Sequence, residues 1–145
     1  MTLDDIRADF ALLDDWEDRY RYVIELGRSL PDFPEELRTD ANKVRGCASQ
    51  VWLSTERTGS SDNPARKDRM AMQGTSDAHI VQGLIALLFA VYQGKTLDEI
   101  AAIDAEKVFS EFGLREHLTQ QRSNGLASMV KRIRSDAQAM LAMGA

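Results

Sequence analysis

The hydrophobic repeat of this chain changes period twice, and that change limits the fold more than any other feature. Before residue 50 the apolar residues recur at helical spacing. From Gln50 to Glu56, and again from Arg69 to Gln73, they alternate: Val51 and Leu53 point one way, Trp52 and Ser54 the other, and Met70 and Met72 share a face. From residue 76 onward the spacing is helical again. Two or three strands gathered between runs of helices predict an α+β fold, a small antiparallel sheet packed against several helices. With 145 residues the chain is expected to be one domain, residues 1–145, with a proper core.

The helical stretches carry their own boundaries. Thr2 precedes a first helix with Leu3, Ile6, Phe10 and Leu13 near one stripe. Asp14 or Asp15 starts a second, with Trp16, Tyr20, Val23, Ile24 and Gly27 on one side and Pro31 beyond its end. Pro34-Glu35-Glu36-Leu37 predicts one short turn. The two alternating segments form a hairpin joined by a long polar connection from Thr55 to Asp68, with residues 59–64 a loop by composition. Ser76 is expected to cap the most apolar helix, with Asp77 in its first turn and Gly94 at its end; Ile80, Val81, Leu84, Ile85, Leu88, Val91 and Tyr92 give it a wide apolar face. Thr96 caps a short helix and Asp104 another, carrying Val108, Phe109 and Phe112 and ending at Gly113. A last helix is predicted from about Ser123, with Leu126, Met129, Val130, Ile133, Ala137 and Met140 inward.

Charge and composition exclude several roles. The net charge is −5, which argues against a nucleic-acid binder; Lys131, Arg132 and Arg134 cluster on one helix, where cations suit the dipole. The longest purely apolar run, Leu84 to Val91, is too short to span a bilayer, and the acidic Thr2-Leu3-Asp4-Asp5 is the opposite of a secretory leader. The chain has one cysteine, Cys47, which fits a reducing, cytoplasmic compartment.

Cys47 is the residue with chemistry to offer. It forms no internal disulfide and holds no multi-thiolate metal site, so it is either a small buried hydrophobe or a nucleophile. Arg45 stands two residues before it. Gly46 permits a sharp turn or positive φ, so the loop ahead of the strand can present the sulfur at a sheet end. Cys47 with His79 or His117 is the alternative, a stand-alone thiol enzyme such as a hydrolase or peroxidase. The scattered carboxylates and two histidines show no metal-ligand spacing. Met70 and Met72 read as core, and Trp52 as packing between sheet and helix, with exposure for a partner as its lesser alternative.

Four blocks in order resemble the SufE family: Asp15-Trp16-Glu17-Asp18-Arg19-Tyr20-Arg21-Tyr22 with Ile24-Glu25-Leu26-Gly27; Val44-Arg45-Gly46-Cys47 with Ser49-Gln50-Val51-Trp52; Gly74-Thr75-Ser76-Asp77-Ala78 with Ile80-Val81 and Gly83-Leu84; and His117-Leu118-Thr119 with Arg122-Ser123-Asn124-Gly125-Leu126. The resemblance covers roughly residues 12 to 136. It implies a fold shared with IscU-type cluster scaffolds, and a sulfur acceptor that takes persulfide sulfur from a cysteine desulfurase, SufS-like or CsdA-like, and so stimulates it. The sulfur then passes to an iron–sulfur scaffold. By matching position Cys47 is the carrier, with Gly46, Arg45, Gln50, Asp77 and Arg122 in support. Arg122 and the N-terminus of the last helix are expected to supply positive potential. The resemblance implies no cofactor or metal on this chain, the pyridoxal phosphate belonging to the desulfurase, and either a monomer or a homodimer. A scaffold role is disfavoured, because a cluster needs several thiolates. The chain departs from the family's pattern at Thr75, where an aspartate is common, at Ala48, and in the length of the 55–68 connection.

Overall fold

The computed structural model describes residues 2–47, 49–58 and 68–143, with Arg115 described in its backbone alone. The predicted loop 59–64 and the departure at Ala48 lie outside these residues. Seven α-helices and two strands are present among them, in the predicted α+β order.

Helix α1 (Leu3–Ala11) begins with a reciprocal cap: Asp5 N–H donates to the Thr2 hydroxyl and Thr2 N–H to the Asp5 carboxylate. It ends before Leu13. Helix α2 (Trp16–Arg28) is capped by Asp15, whose carboxylate accepts from Asp18 N–H at 2.9 Å. A single 3-10 turn, Glu35–Leu37, follows Pro34. Strands β1 (Val51–Thr58) and β2 (Arg69–Ser76) pair antiparallel from Val51↔Ser76 to Thr58↔Arg69. After them come α3 (His79–Tyr92), α4 (Leu97–Ala102), α5 (Ala105–Glu111), α6 (Leu114–His117) and α7 (Gln120–Met143).

Helix α3 is the centre of the molecule. Leu84, Ile85, Leu87 and Leu88 are at most 1% exposed, although they point in different directions around the helix, so neighbours cover it on several sides. Helix α2 lies along one side through a glycine contact: a Cβ on Gly27 would come within 2.6 Å of Gly83 N, so the backbones nearly touch. The sheet covers another side with Val51, Leu53, Met70, Gly74 and Ser76, and α7 crosses the same sheet face, where the Thr55 hydroxyl donates to Asp136 at 2.8 Å.

Three expectations are corrected. Residues 74–76 continue β2 instead of opening the helix, because Ser76 pairs with Val51 and Gly74 lies against the Leu53 side chain, where a Cβ would approach within 2.7 Å. Helix α3 therefore starts at His79 after Ala78; the Ser76 hydroxyl accepts Ala78 N–H two residues too early to cap it, and Asp77 stands outside its first turn. Helix α7 starts at Gln120, three residues early, because Thr119 accepts Arg122 N–H at 3.2 Å; the one-turn helix α6 has too few residues to show a period. Trp52 is on the strand face opposite the buried Val51 and Leu53, not packed into the core between sheet and helix. It lies on the outer sheet face, with the Arg38 guanidinium 5.1 Å and the Lys43 ammonium 6.0 Å from its ring centre.

Candidate functional site

The chain reaches Cys47 along the edge of β1. Leu53 N–H donates to Asn42 O at 2.8 Å and Val44 N–H to Val51 O at 2.9 Å, so residues 42–44 run antiparallel to 51–53. The loop lies between them and carries residues 45–47, 49 and 50 among those described, with Cys47 near its tip. Gly46 has φ +91°, a backbone state open to glycine and strained for other residues. A side chain there would also meet the Ser128 hydroxyl of α7 at 2.7 Å.

The foot of the loop is tied to the end of the sheet by Asp77. Its carboxylate accepts Gln50 N–H at 3.0 Å, and its own N–H donates to Gln50 O at 3.3 Å. Asp77 and Gln50 thus act here as a backbone clamp, with both residues exposed.

Inside the loop the Cys47 thiol donates to the carbonyl oxygen of Gly125, Sγ to O 3.6 Å. A Cβ on Gly125 would stand 3.2 Å from that sulfur, so the missing side chain is what admits it. Val81 and Leu84 of α3, with Gln121, Arg122, Leu126 and Met129 of α7, complete a niche of about 10 Å³ around Cys47 and Ser49. That is room for about one water-sized atom.

Burial pushes the Cys47 thiol above the ordinary thiol range. Burial is the cause of this shift, and the polar group in contact with the resting sulfur is the Gly125 carbonyl. Arg122 lines the niche, half-buried. Arg45 is exposed and takes no part in the lining. Cys47 meets α7 at Gly125, one turn beyond the helix start where the free N–H groups lie. Neither histidine lines the niche; His117 stacks on Trp16 at 4.1 Å between ring centres. The sequence reading missed the roles of Gln121, Gly125 and Ser128. Gly125 stands in the closing motif block, and the four-residue spacing of Gln121, Gly125 and Met129 puts these three on one face of α7, whereas Ser128 carries no such signal.

The raised thiol pKa has a measurable consequence. In the resting protein, alkylation of Cys47 should accelerate with pH along a curve whose midpoint lies above that of a free cysteine peptide. Because the folded value exceeds the unfolded one, the stability gained by burying the neutral thiol is complete below the unfolded pKa and is lost as pH rises through the folded one. A midpoint at or below the peptide's would show that the loop rests with the sulfur out.

Among the described residues no group of three or more His, Cys, Asp and Glu is placed to hold a metal, and no helix is long and apolar enough to cross a membrane. The fold is similar to that of a hypothetical protein from Thermus thermophilus solved in solution, with TM-score 0.72 and 19% identity over 98% of this chain and 99% of that one. In sequence the chain is 60% identical over 137 residues to an uncharacterized SufE-like protein of Rhizobium etli, covering 94% of this chain and 90% of the relative. It is 55% identical over 140 residues to another from Rhizobium meliloti, covering 97% of each. The family model described as SufE, an Fe-S metabolism associated domain, matches residues 4–137, nearly the whole of a chain whose one thiol is held at a loop tip against α7. The chain belongs to the SufE family.

Proposed function

We propose that the chain is a persulfide carrier: Cys47 takes the terminal sulfur from the persulfide of a cysteine desulfurase, frees that enzyme to turn over, and hands the sulfur to an iron–sulfur scaffold. The observation that supports this best is the seat of the thiol, a one-atom niche beside Cys47 at the tip of a loop with a glycine turn. The step is an exchange. The Cys47 thiolate attacks the outer sulfur of the donor persulfide, the donor's S–S bond breaks, its cysteine leaves as thiolate, and Cys47 becomes Cys47–S–SH. No external oxidant or reductant is needed. Pyridoxal phosphate belongs to the desulfurase in this reading, and the carrier works in the cytoplasm, where its thiol stays reduced.

The resting contacts suit protection better than attack. A thiol half-buried against a carbonyl is a poor nucleophile, so the loop must leave Gly125 to react. Leaving costs one weak S–H···O bond and some buried sulfur surface, a small barrier compared with unfolding.

The test is incubation with a cysteine desulfurase and L-cysteine without reductant, followed by mass analysis. The peptide holding Cys47 should gain the mass of one or more sulfur atoms, and alanine production by the desulfurase should rise. A carrier that stays unmodified while its partner turns over would defeat the proposal.

Arg122 is the cation of the niche wall, and its role in this reading is to receive the persulfide, which is more acidic than the thiol and more often anionic. Arg122→Ala should melt within a few degrees of the wild type, as for a half-exposed residue near a helix start. The Cys47 persulfide should form several-fold less or decay several-fold faster. Wild-type loading and lifetime would return Arg122 to a surface role.

A further inference from the structure

Resting on the carrier reading, we propose that the seat of Cys47 is a length gauge for the sulfur it carries: it encloses a thiol extended by one sulfur atom, leaves any longer chain outside, and has its limit set by Leu126 of α7.

The first observation is the size of the niche and what bounds it. Its volume of about 10 Å³ holds about one small atom, and each sulfur added to a chain lengthens it by about 2 Å. The walls are core residues. Leu84 and Met129 are 1% exposed, and Val81 and Leu126 are buried beside them, in packing that leaves little room to retreat. The floor is backbone: a Cβ on Gly125 would stand 3.5 Å from Cys47 Cα. The loop is held on both sides of the sulfur, with Gly46 against Ser128 and Gln50 clamped to Asp77. A second sulfur atom is therefore accommodated only by unseating the loop.

The second observation is a larger cavity beside the niche. About 280 Å³ lies between α5, α6 and the start of α7, with Phe109, Leu118 and Asn124 in its wall. Leu126 is the residue that lines both spaces. Its side chain closes the niche toward volume that would hold further sulfur atoms. The chemistry gives this limit a consequence. In a second exchange the Cys47 persulfide anion attacks the outer sulfur of another donor persulfide, the donor's S–S bond breaks, its cysteine leaves as thiolate, and Cys47–S–S–SH results. That chain forms with the loop out and keeps it out, where its terminal sulfur is open to any nucleophile. The singly loaded carrier closes over its cargo.

Cyanide tests this, because it takes a sulfur from the chain as thiocyanate and leaves the chain one sulfur shorter. The protein is loaded by a cysteine desulfurase with excess L-cysteine, separated from it, exposed to cyanide and followed by intact mass. Attack needs the loop out, so each lifetime reports how much of the time that species is unseated. In the native wild type the species with two added sulfurs should decay faster than the species with one, by a ratio about tenfold above that of the protein unfolded in guanidinium. Leu126→Ala, which joins the niche to the larger cavity, should bring the two native lifetimes to within about twofold of each other. Val81→Ala widens the niche from α3 and should lengthen the two-sulfur lifetime several-fold, which keeps the test in hand if Leu126→Ala melts too low. A wild type that accepts one sulfur only, beside variants that accept more, supports the gauge equally. Native and unfolded ratios that agree, or a limit that neither variant changes, overturn the gauge and leave Cys47 as carrier. A wild type that takes no sulfur from the desulfurase overturns both.

Discussion

Cys47→Ser should reduce sulfur uptake to zero and return the desulfurase to its unassisted rate. Serine is nearly isosteric and keeps a donor for the Gly125 carbonyl, so the loop should remain seated and the melting temperature should change little. What is lost is the soft nucleophile that carries sulfur, and the chain has no second thiol to substitute for it. The measurement is the mass of the whole protein after incubation with desulfurase and cysteine, beside the rate of alanine release. Full stimulation by Cys47→Ser would mean that the chain activates its partner without carrying sulfur. Sulfur found elsewhere on the variant would refute Cys47 as the acceptor.

Gly83→Ala should be the most destabilising small substitution in the molecule. The added methyl would fall on the carbonyl oxygen of Val23, with the carbonyl carbon at 2.6 Å and the Val23 side chain at 2.7 Å. Two of these three obstacles are backbone, which no rotamer change can move. Helices α2 and α3 must separate, and α3 is the hub of the core. Overpacking of this kind costs about 3 kcal/mol or more, which for a chain of this length is roughly a 10 °C fall in melting temperature. The site should suffer indirectly, since Val81 and Leu84 of the same helix form one wall of the Cys47 niche. A melting temperature within about 2 °C of wild type, by the same scaling, would show that the helices are less tightly opposed than the glycine contact indicates.

Much of this architecture is written in local patterns. The caps at Thr2, Thr96 and Asp104 were each legible, and that at Asp15 to within one residue, because a side-chain oxygen satisfies N–H groups within three residues, a contact the sequence contains by itself. The alternation at Val51–Leu53 gave the buried face of β1 for the same reason: a strand's two faces follow from its period of two. Ser76 and Asp77 misled because their preference for a helix start is a matter of tenths to about one kcal/mol. Pairing of Ser76 with Val51, 25 positions away, outweighed it. Trp52 misled because its face was readable but its cover was not: nothing in a sequence says which side of a two-stranded sheet the helices take.

The candidate site divides along the same line. The sequence alone determined that there is one thiol, that a glycine precedes it, that a strand follows it, and through its four motif blocks that the family is SufE. Only the tertiary structure decided what the thiol faces. Cys47 and Gly125 are 78 positions apart, and their contact exists because α7 crosses the sheet at the level of the loop and carries no side chain there. Burial between the loop and α7 then pushes the thiol pKa up, against the direction its neighbour Arg45 suggests. A pKa depends on desolvation and on charges within a few ångströms, and those distances are fixed by packing between segments remote in sequence.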